Sequence, residues 1–319
     1  MTGLALLALS VPCVLWPATV ESRSALEAAG IKQICVAPDR ADSWRAAGFT
    51  VTPVTDAELA ARERLSAPGT TPRPGVASPT RAPWIDANGW RFTRHPGSKY
   101  VYDLPAGKAP LAAAEAFAYG ADAVLKFDVT DAPDAPDVAR LGQMLAFLAA
   151  LPPLDLPAVA DLAVVDDGSA VTGEVMNLLA RRNLLFQVVQ APSARFPINV
   201  RIGTPEYPRT EAADPSAFAQ KIRRQLTDDR RALRVYGSEV VLGRLTADAG
   251  RARLHLINYG GREIEGLRIR LRGRYADGEV HVAGAGRLAL EDRVVTDDAT
   301  EFTIPRISTY AVVDLRTAR

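Results

Sequence analysis

The side chains in this sequence that are suited to catalysis are mainly carboxylates. Four aspartates follow apolar runs typical of strands: Asp86 after PWI, Asp128 after AVLKF, and Asp166 and Asp167 after LAVV. In open α/β sheets and barrels, ligands bind beyond the carboxyl ends of the strands. Two such acids facing a sugar could act as a proton donor and as a nucleophile or base, about 5 Å apart in a retaining hydrolase and about 6.5–9.5 Å apart in an inverting one. These four aspartates are the candidate catalytic residues, although aspartate after a strand is also an ordinary helix-cap or turn residue.

Aromatic and polar side chains alternate in the segment 84–108, WIDANGWRFTRHPGSKYVYDLPAGK. Rings next to amide, carboxylate and guanidinium groups suit sugars, whose C–H faces are apolar and whose hydroxyls need fixed partners. The candidate substrate-binding residues are Trp84, Asn88, Trp90, Arg91 and Tyr102. The alternative interpretation is an aromatic core around an Asn-Gly turn.

Other kinds of chemistry have no support in the sequence. It contains no P-loop, no GxGxxG, no GxSxG and no metal-ligand spacing. His95 lies in a polar loop, and His255 and His281 lie in predicted strands, so no nucleophile–histidine arrangement is indicated. Glu115 lies in an alanine-rich helix, where we expect it to face solvent or pair with a lysine. We predict no cofactor and no metal site.

Composition limits the class of protein further. The chain has 319 residues, with 38 Lys and Arg against 37 Asp and Glu, which gives a net charge of +1. This balance argues against a general nucleic-acid binder. Two Cys and three His are too few for a disulfide framework or a structural zinc site. Composition leaves the oligomeric state, including a homo-oligomer, open.

The N-terminal residues 3–20, GLALLALSVPCVLWPATV, are almost entirely apolar. The run has the length of a signal-peptide hydrophobic region, and its prolines disfavour a stable membrane span. We therefore predict a signal peptide over residues 1–24 and a secreted or periplasmic protein. Because no basic residue precedes the run and no clean cleavage site follows it, the alternative is that VPCVLWP is a buried strand of a cytoplasmic domain. A Cys13–Cys35 pair can form only if this segment is retained.

Helices and strands alternate with short connections from residue 25 onward, which is typical of an α/β fold. We expect a small α/β segment over 25–65, where ELAARERL adds a helix, and then a Pro-rich linker over 66–83. A second α/β domain is expected over 84–230, with a helix capped at Thr172. Repeated strand–helix–strand units indicate a mostly parallel sheet, either flavodoxin-like or an incomplete barrel.

After residue 231 the apolar period changes from helical to two. Short runs rich in Val, Ile, Leu and Tyr follow one another, and Gly260-Gly261 and Asp277-Gly278 are expected to form hairpin turns. About seven such strands in under ninety residues predict an all-β sandwich over 231–319. The fold class is therefore α/β followed by a C-terminal β-sandwich.

A row of arginines lies on one predicted strand of the sandwich, formed by Arg268, Arg270, Arg272 and Arg274. They alternate with leucine and isoleucine, so one face of the strand is buried and the other is solvated. We interpret the row as a solvated face, and the alternative is a surface for an anionic polysaccharide or a neighbouring domain.

Three segments carry a resemblance to a known family: DLAVVDDGS…GEVMNLLARRNLLFQVV, RLHLINYGGREIEGLRIRL and TYAVVDL. Residues 84–319 resemble the rear half of bacterial β-galactosidase-like glycoside hydrolases, where a glutamine-amidotransferase-like domain precedes a β-sandwich with an "hLxNY" strand. In that family the catalytic glutamates lie on a (β/α)8 barrel. This chain has too few strand–helix units for eight and lacks the amidotransferase cysteine, so the resemblance carries over no catalytic residue.

Two functions from different classes remain. The first is a secreted glycoside-hydrolase-like protein that binds a carbohydrate; whether it also hydrolyses one is left open, and if it is an enzyme it is a glycoside hydrolase. The second is a non-catalytic scaffold whose sandwich docks a partner. A cytoplasmic nucleotide-binding enzyme ranks last because no phosphate loop is present.

Overall fold

The computed structural model describes residues 11–71, 83–128 and 133–317. It divides the chain into two compact units: the first unit is residues 1–69 with 96–155, and the second unit is residues 70–95 with 156–319. In the described residues the helices, numbered in chain order, are α1 Arg23–Ala28, α2 Ala41–Ala46, α3 Asp56–Ala60, α4 Gly89–Arg94, α5 Ala109–Tyr119, α6 Ala135–Ala150, α7 Ala170–Arg181, α8 Arg209–Ala212 and α9 Pro215–Leu226.

The strands are numbered in the same way. Those before the sandwich are β1 Cys13–Leu15, β2 Gln33–Val36, β3 Thr50–Pro53, β4 Glu63–Leu65, β5 Gly69–Thr71, β6 Trp84–Asp86, β7 Lys99–Leu104, β8 Asp122–Phe127, β9 Leu162–Val165, β10 Phe186–Val189 and β11 Asn199–Val200. Those of the sandwich are β12 Leu233–Tyr236, β13 Val241–Ala247, β14 Arg251–Asn258, β15 Ile264–Arg272, β16 Tyr275–Val282, β17 Gly286–Leu288, β18 Glu291–Val295, β19 Ala299–Ile307 and β20 Tyr310–Thr317. Strands β5 and β6 form a small two-stranded sheet.

The first unit is built on a six-stranded parallel sheet in the order β3-β2-β1-β8-β7-β4. Strands consecutive within this sheet are neighbours, and the last strand β8 pairs with the first strand β1. Among the described residues the exception is β3 and β4, which are consecutive in this sheet but do not pair with each other. This is the order of a barrel opened between β3 and β4, so the first unit matches the incomplete-barrel alternative.

The amino-terminal apolar segment is part of this sheet. Strand β1 lies between β2 and β8, Val14 is fully buried, and a disulfide joins Cys13 to Cys35 on β2. Removing residues 1–24 would therefore take away a central strand and one cysteine of the disulfide. The structure places a buried strand within VPCVLWP, and the cleavage of residues 1–24 stays a prediction.

Strands from both sides of the predicted linker belong to the same sheet. β2, β3 and β4 precede residues 66–83, and β7 and β8 follow them. Residues 25–65 are therefore not a separate α/β segment, and the predicted 84–230 domain divides between the two units. Most of the linker, residues 72–82, lies outside the described residues. The last three of the eight residues of the helix expected in ELAARERL form strand β4 instead, because Leu65 is buried where β4 pairs with β7.

The second unit contains a three-stranded parallel sheet in the order β10-β9-β11. Helices α7 and α9 pack on it through an apolar core that includes Leu162, Met176, Leu179, Phe218 and Ile222. Helix α7 is capped by Ser169, whose side chain accepts from the Thr172 amide. Thr172 is therefore not the cap: it is the third residue of the helix.

The sandwich follows in the same unit and confirms the fold class predicted from the sequence. Its antiparallel sheets have the orders β12-β15-β19-β18 and β13-β14-β20-β16-β17, and leucine, isoleucine and valine side chains from both fill a shared core. The predicted turn at Asp277-Gly278 is wrong, since both residues lie inside β16, beside a register shift. Among the described residues, no helix has the length and apolar character needed to cross a membrane.

Candidate functional site

Strand β9 is the central strand of the three-stranded sheet, and the two strands that follow it in the chain lie on opposite sides of it. The chain passes from β9 through α7 to β10 on one side, and then to β11 on the other side. In open parallel sheets this arrangement leaves a crevice beyond the carboxyl end of the first strand, where ligands bind. Asp166 and Asp167 follow β9 directly, so two of the four predicted acids lie at this edge.

Asp166 is held by an arginine. Nε and Nη2 of Arg94 donate to its two carboxylate oxygens at 2.9 and 2.7 Å, and the Gly168 amide adds a third hydrogen bond at 3.0 Å. The two side chains are only 9% and 10% exposed. Burial alone would raise the pKa of Asp166, but the hydrogen bonds from Arg94 and Gly168 and the arginine's charge outweigh it, so the pKa lies below its ordinary value.

Asp167 has its own set of partners. Its carboxylate accepts from the Ser169 amide at 3.0 Å, from the Thr172 hydroxyl at 2.7 Å and from Arg209 Nη2 at 2.7 Å. Partial burial acts to raise the pKa of Asp167, but the hydrogen bonds from Ser169 and Thr172 and the charge of Arg209 lower it far below its ordinary value. This carboxylate therefore fixes the start of α7 and one arginine beside it.

Both acids at this edge are ionised and paired. A general acid in glycoside hydrolysis needs a raised pKa so that it carries a proton near neutral pH. Asp166 and Asp167 have the opposite perturbation. Their geometry suits the positioning of Arg94 and Arg209 rather than proton donation.

Helix α4 brings aromatic rings to the same edge. Trp90 and Arg94 are four residues apart, on one face of the helix, and both lie against Gly173 in α7. A Cβ at Gly173 would lie 2.7 Å from the Arg94 guanidinium and 3.0 Å from the Trp90 ring. Glycine at this position is therefore what allows α4 to pack against α7. The Arg91 guanidinium lies 4.4 Å from the Trp90 ring centroid.

Trp84 also has an arginine side chain over its ring. The Arg181 guanidinium at the end of α7 lies 3.7 Å from the Trp84 ring centroid, within cation–π range. Trp84 and Trp90 are half-buried and pack against the core of the three-stranded sheet. Asn88, which precedes α4, is 2% exposed. The segment 84–94 thus contains both an aromatic core and partly accessible rings.

The other predicted site residues lie elsewhere. Asp86 ends β6 and accepts a hydrogen bond from the Thr71 hydroxyl. Asp128 is exposed after β8 in the first unit. Tyr102 is fully buried in β7 and donates to Glu115, which is also fully buried. Tyr102 is therefore a core residue that cannot stack on a sugar, and the expectation that Glu115 faces solvent is wrong.

Two of the four arginines in the predicted row, Arg268 and Arg270, are paired with acids. Arg268 pairs with Glu301 at 3.1 Å, and Arg270 pairs with Asp298 at 2.7 Å. Arg272 donates to the Arg230 carbonyl oxygen. Arg272 is exposed and Arg268 is half-buried, as a solvated face requires, but Arg270 is only 8% exposed, so the interpretation is wrong at that position.

Sequence reasoning did not assign Arg94, Arg181 or Arg209 to the site. The spacing of Trp90 and Arg94 on one helix face was a local signal for the first. Arg181 and Arg209 reach their partners across the fold, and no local pattern marks them.

The first unit has a cavity of about 500 Å³. Its lining includes the first residues of β1, β2, β7 and β8, together with Thr52 and Pro53 at the carboxyl end of β3. Four strands thus present their amino ends to the cavity, whereas barrel enzymes place their sites at the carboxyl ends. Arg62, in the lining, is already engaged with Asp122 at 2.8 Å and with the Tyr100 carbonyl oxygen at 3.2 Å. The edge beyond β9 is therefore the better candidate.

Comparison with known proteins gives a likeness of fold. No family model and no curated protein matches the chain. Among solved structures it is similar to alpha-L-fucosidase isoenzyme 2 from Paenibacillus thiaminolyticus, with 10% sequence identity and a TM-score of 0.53, over 71% of this chain and 62% of that chain.

Two further matches are weaker. A rhamnosidase from Novosphingobium sp. PP1Y matches with 10% identity and a TM-score of 0.48, over 81% of this chain and 35% of that one. A beta-galactosidase from Bacillus circulans sp. alkalophilus matches with 10% identity and a TM-score of 0.39, over 91% and 61%. The chain spans less than two thirds of the length of each of these three proteins. The likeness to the fucosidase is one of fold alone, and the finer resemblance to the rear half of β-galactosidase-like hydrolases stays a prediction.

Proposed function

We propose that this protein binds a carbohydrate at the carboxyl edge of β9 and does not hydrolyse it. The observation that carries the proposal is the joint placement of Trp90, Arg91 and Arg94 beside the paired acids Asp166 and Asp167. A partly accessible indole ring offers an apolar surface to sugar C–H groups. The carboxylates and guanidinium groups around it can exchange hydrogen bonds with hydroxyls.

Binding is favoured over turnover because of the state of the acids. Hydrolysis needs one protonated and one ionised carboxyl group facing the scissile bond. Asp166 and Asp167 have lowered pKa values and arginine partners. The likeness of fold to a fucosidase supports descent from a sugar-active fold.

The test is a glycan array combined with a panel of aryl glycosides, on wild type and on Trp90→Ala. We expect binding to at least one glycan, loss of that binding in Trp90→Ala, and no hydrolysis by either protein. The matched control is Tyr236→Ala, because Tyr236 is also half-buried with a guanidinium over its ring, that of Arg234 at 4.7 Å, but lies on β12 of the sandwich. The control should bind like wild type.

Two outcomes contradict the proposal. The proposed site is wrong if no glycan binds, or if Trp90→Ala binds glycans as wild type does. Hydrolysis that is abolished by Asp166→Asn or Asp128→Asn makes the protein an enzyme instead.

A specific surface favours the scaffold alternative. Strand β18 is the edge of the four-stranded sheet, all five of its residues are exposed, and Val294 and Val295 are 51% and 41% exposed. An exposed edge strand with apolar side chains can pair with a strand of another chain. If Val294→Lys abolishes the capture of a partner from the native host while Trp90→Ala does not, the scaffold function is favoured.

We also propose that the protein works in an oxidising compartment, secreted or periplasmic. The support is the Cys13–Cys35 disulfide across two central strands. Thiol labelling of the protein in its native host, before and after reduction, tests this. Labelling only after reduction is expected, and free thiols before reduction would contradict the proposal.

A further inference from the structure

The face of the five-stranded sandwich sheet that points away from the shared core carries three groups that can ligate a metal ion. Glu279 and His281 are two positions apart in β16 and therefore point to the same side of the sheet. Asp314 on β20 is paired directly opposite Glu279. One ligand atom from each side chain lies within 4.8 Å of those of the other two. All three side chains are half-buried and reachable by solvent.

We propose that these three residues bind a divalent transition-metal ion, with Zn²⁺ as the probe. The distance between His281 Nε2 and Glu279 Oε1 is 3.3 Å. Two ligand atoms about 2.0 Å from a tetrahedral ion lie about 3.3 Å apart. Two of the ligands are thus already at the separation that such an ion requires, and a carboxylate oxygen of Asp314 lies within 4.8 Å of both.

Each carboxylate of the cluster is paired with an arginine. Two carboxylates directly opposite each other on adjacent strands repel, and two arginines compensate this repulsion. Arg253 is 1% exposed and holds both oxygens of Asp314 at 2.6 and 2.7 Å. Arg287 is 72% exposed and pairs with Glu279.

The two arginines therefore have different roles. Arg253 is fixed, and it orients the Asp314 carboxylate as an outer-sphere partner does in metal sites. Arg287, from the edge strand β17, can move into solvent at little cost. A metal ion would replace its charge beside Glu279, so Arg287 competes with the ion.

The chemistry of the ligands indicates the class of ion. One imidazole and two carboxylates suit borderline ions such as Zn²⁺, whereas Ca²⁺ takes oxygen ligands. With three protein ligands, a fourth position stays open to water or to a ligand atom. Local sequence spacing could not show this site, because Asp314 lies 33 positions beyond His281 in the sequence.

The experiment is isothermal titration of the full chain with ZnCl₂ at about pH 7.5. Wild type should bind one ion saturably. His281→Ala should weaken binding at least about tenfold, and Arg287→Ser should strengthen it because the competing charge is gone. The matched control is His95→Ala, another of the three histidines, which should bind Zn²⁺ like wild type.

Folding is checked on the same samples. The thermal transition of each variant without metal should stay close to that of wild type, and Glu279→Gln serves as a second ligand variant if His281→Ala unfolds. The proposal is overturned if wild type shows no saturable binding of one ion, or if His281→Ala and Glu279→Gln both bind as wild type does. Binding of Ca²⁺ that does not depend on His281 would also overturn it.

Discussion

Removing Arg94 should leave the buried carboxylate of Asp166 without its charged partner. In Arg94→Met the aliphatic stem is kept, but Asp166 loses both guanidinium hydrogen bonds and retains the Gly168 amide. The two side chains are only 9% and 10% exposed, so solvent cannot replace the lost partner. Breaking a buried pair in this way costs about 3–5 kcal/mol. We take about 3 kcal/mol, because one hydrogen bond remains.

The loss should depend on pH with a defined sign. In wild type the pKa of Asp166 is lowered, so the pair stabilises the fold above the unfolded value of about 3.9 and this contribution is lost as pH falls below it. In Arg94→Met the burial of Asp166 is uncompensated, and its pKa should rise above its ordinary value. The loss of stability caused by Arg94→Met should therefore become smaller as the pH falls from 7.5 to about 5, because the unpaired Asp166 carboxyl group takes up a proton.

Urea denaturation followed by tryptophan fluorescence measures these free energies. The double variant Arg94→Met/Asp166→Asn should lie within about 1 kcal/mol of wild type, since no charge is left buried. The matched control is Arg64→Met, which breaks an exposed pair with Asp103 and should cost no more than about 1 kcal/mol. A loss below about 1 kcal/mol in Arg94→Met, or a double variant as unstable as the single one, would refute the reasoning.

Three further changes have defined outcomes. Burial raises the pKa of Asp161 to about 6, although the hydrogen bond from the Ala232 amide acts to lower it. The free energy of unfolding should therefore fall by about 3 kcal/mol as the pH rises from about 4 to 6. Asp161→Asn should lack that decline in urea titrations. Reducing the disulfide, or Cys35→Ser, should lower stability by about 3 kcal/mol in a thermal melt. Gly142→Ala places a Cβ 2.0 Å from the Ala29 carbonyl oxygen and should cost about 1–3 kcal/mol by differential scanning fluorimetry.

Each of these has a simple control. Gly250→Ala meets only ordinary contact, at 3.8 Å, and should leave stability nearly unchanged. Wild type should respond to reductant and Cys35→Ser should not. A stability of Asp161→Asn that declines with pH as steeply as in wild type would show that another group titrates there.

Local sequence patterns predicted the elements well and their pairing poorly. The change from helical period to period two after residue 231 marked the sandwich, because half-buried antiparallel strands alternate in polarity. The neighbour of each parallel strand is not encoded locally. Thus β1 at residue 13 pairs with β8 at residue 122, and the Pro-rich segment 66–83 connects strands of one sheet.

The candidate site shows the same division. Asp166 and Asp167 were predicted because acids after a strand lie at a sheet edge. Their partners Arg94 and Arg209 are 72 and 42 residues away in sequence, so the lowered pKa values could not be predicted. Tyr102 was misassigned because an aromatic strand residue has the same pattern whether its ring is buried or exposed.

Hydrogen–deuterium exchange, with and without the strongest-binding glycan from the array, tests the central claim most directly. Backbone amides at a binding site exchange more slowly when ligand is bound. Protection is predicted in peptides covering 84–94 and 166–172, with no product formed from the glycan during the experiment. Protection confined to the sandwich or to the first unit, or no protection at saturating glycan, would contradict carbohydrate binding at the carboxyl edge of β9.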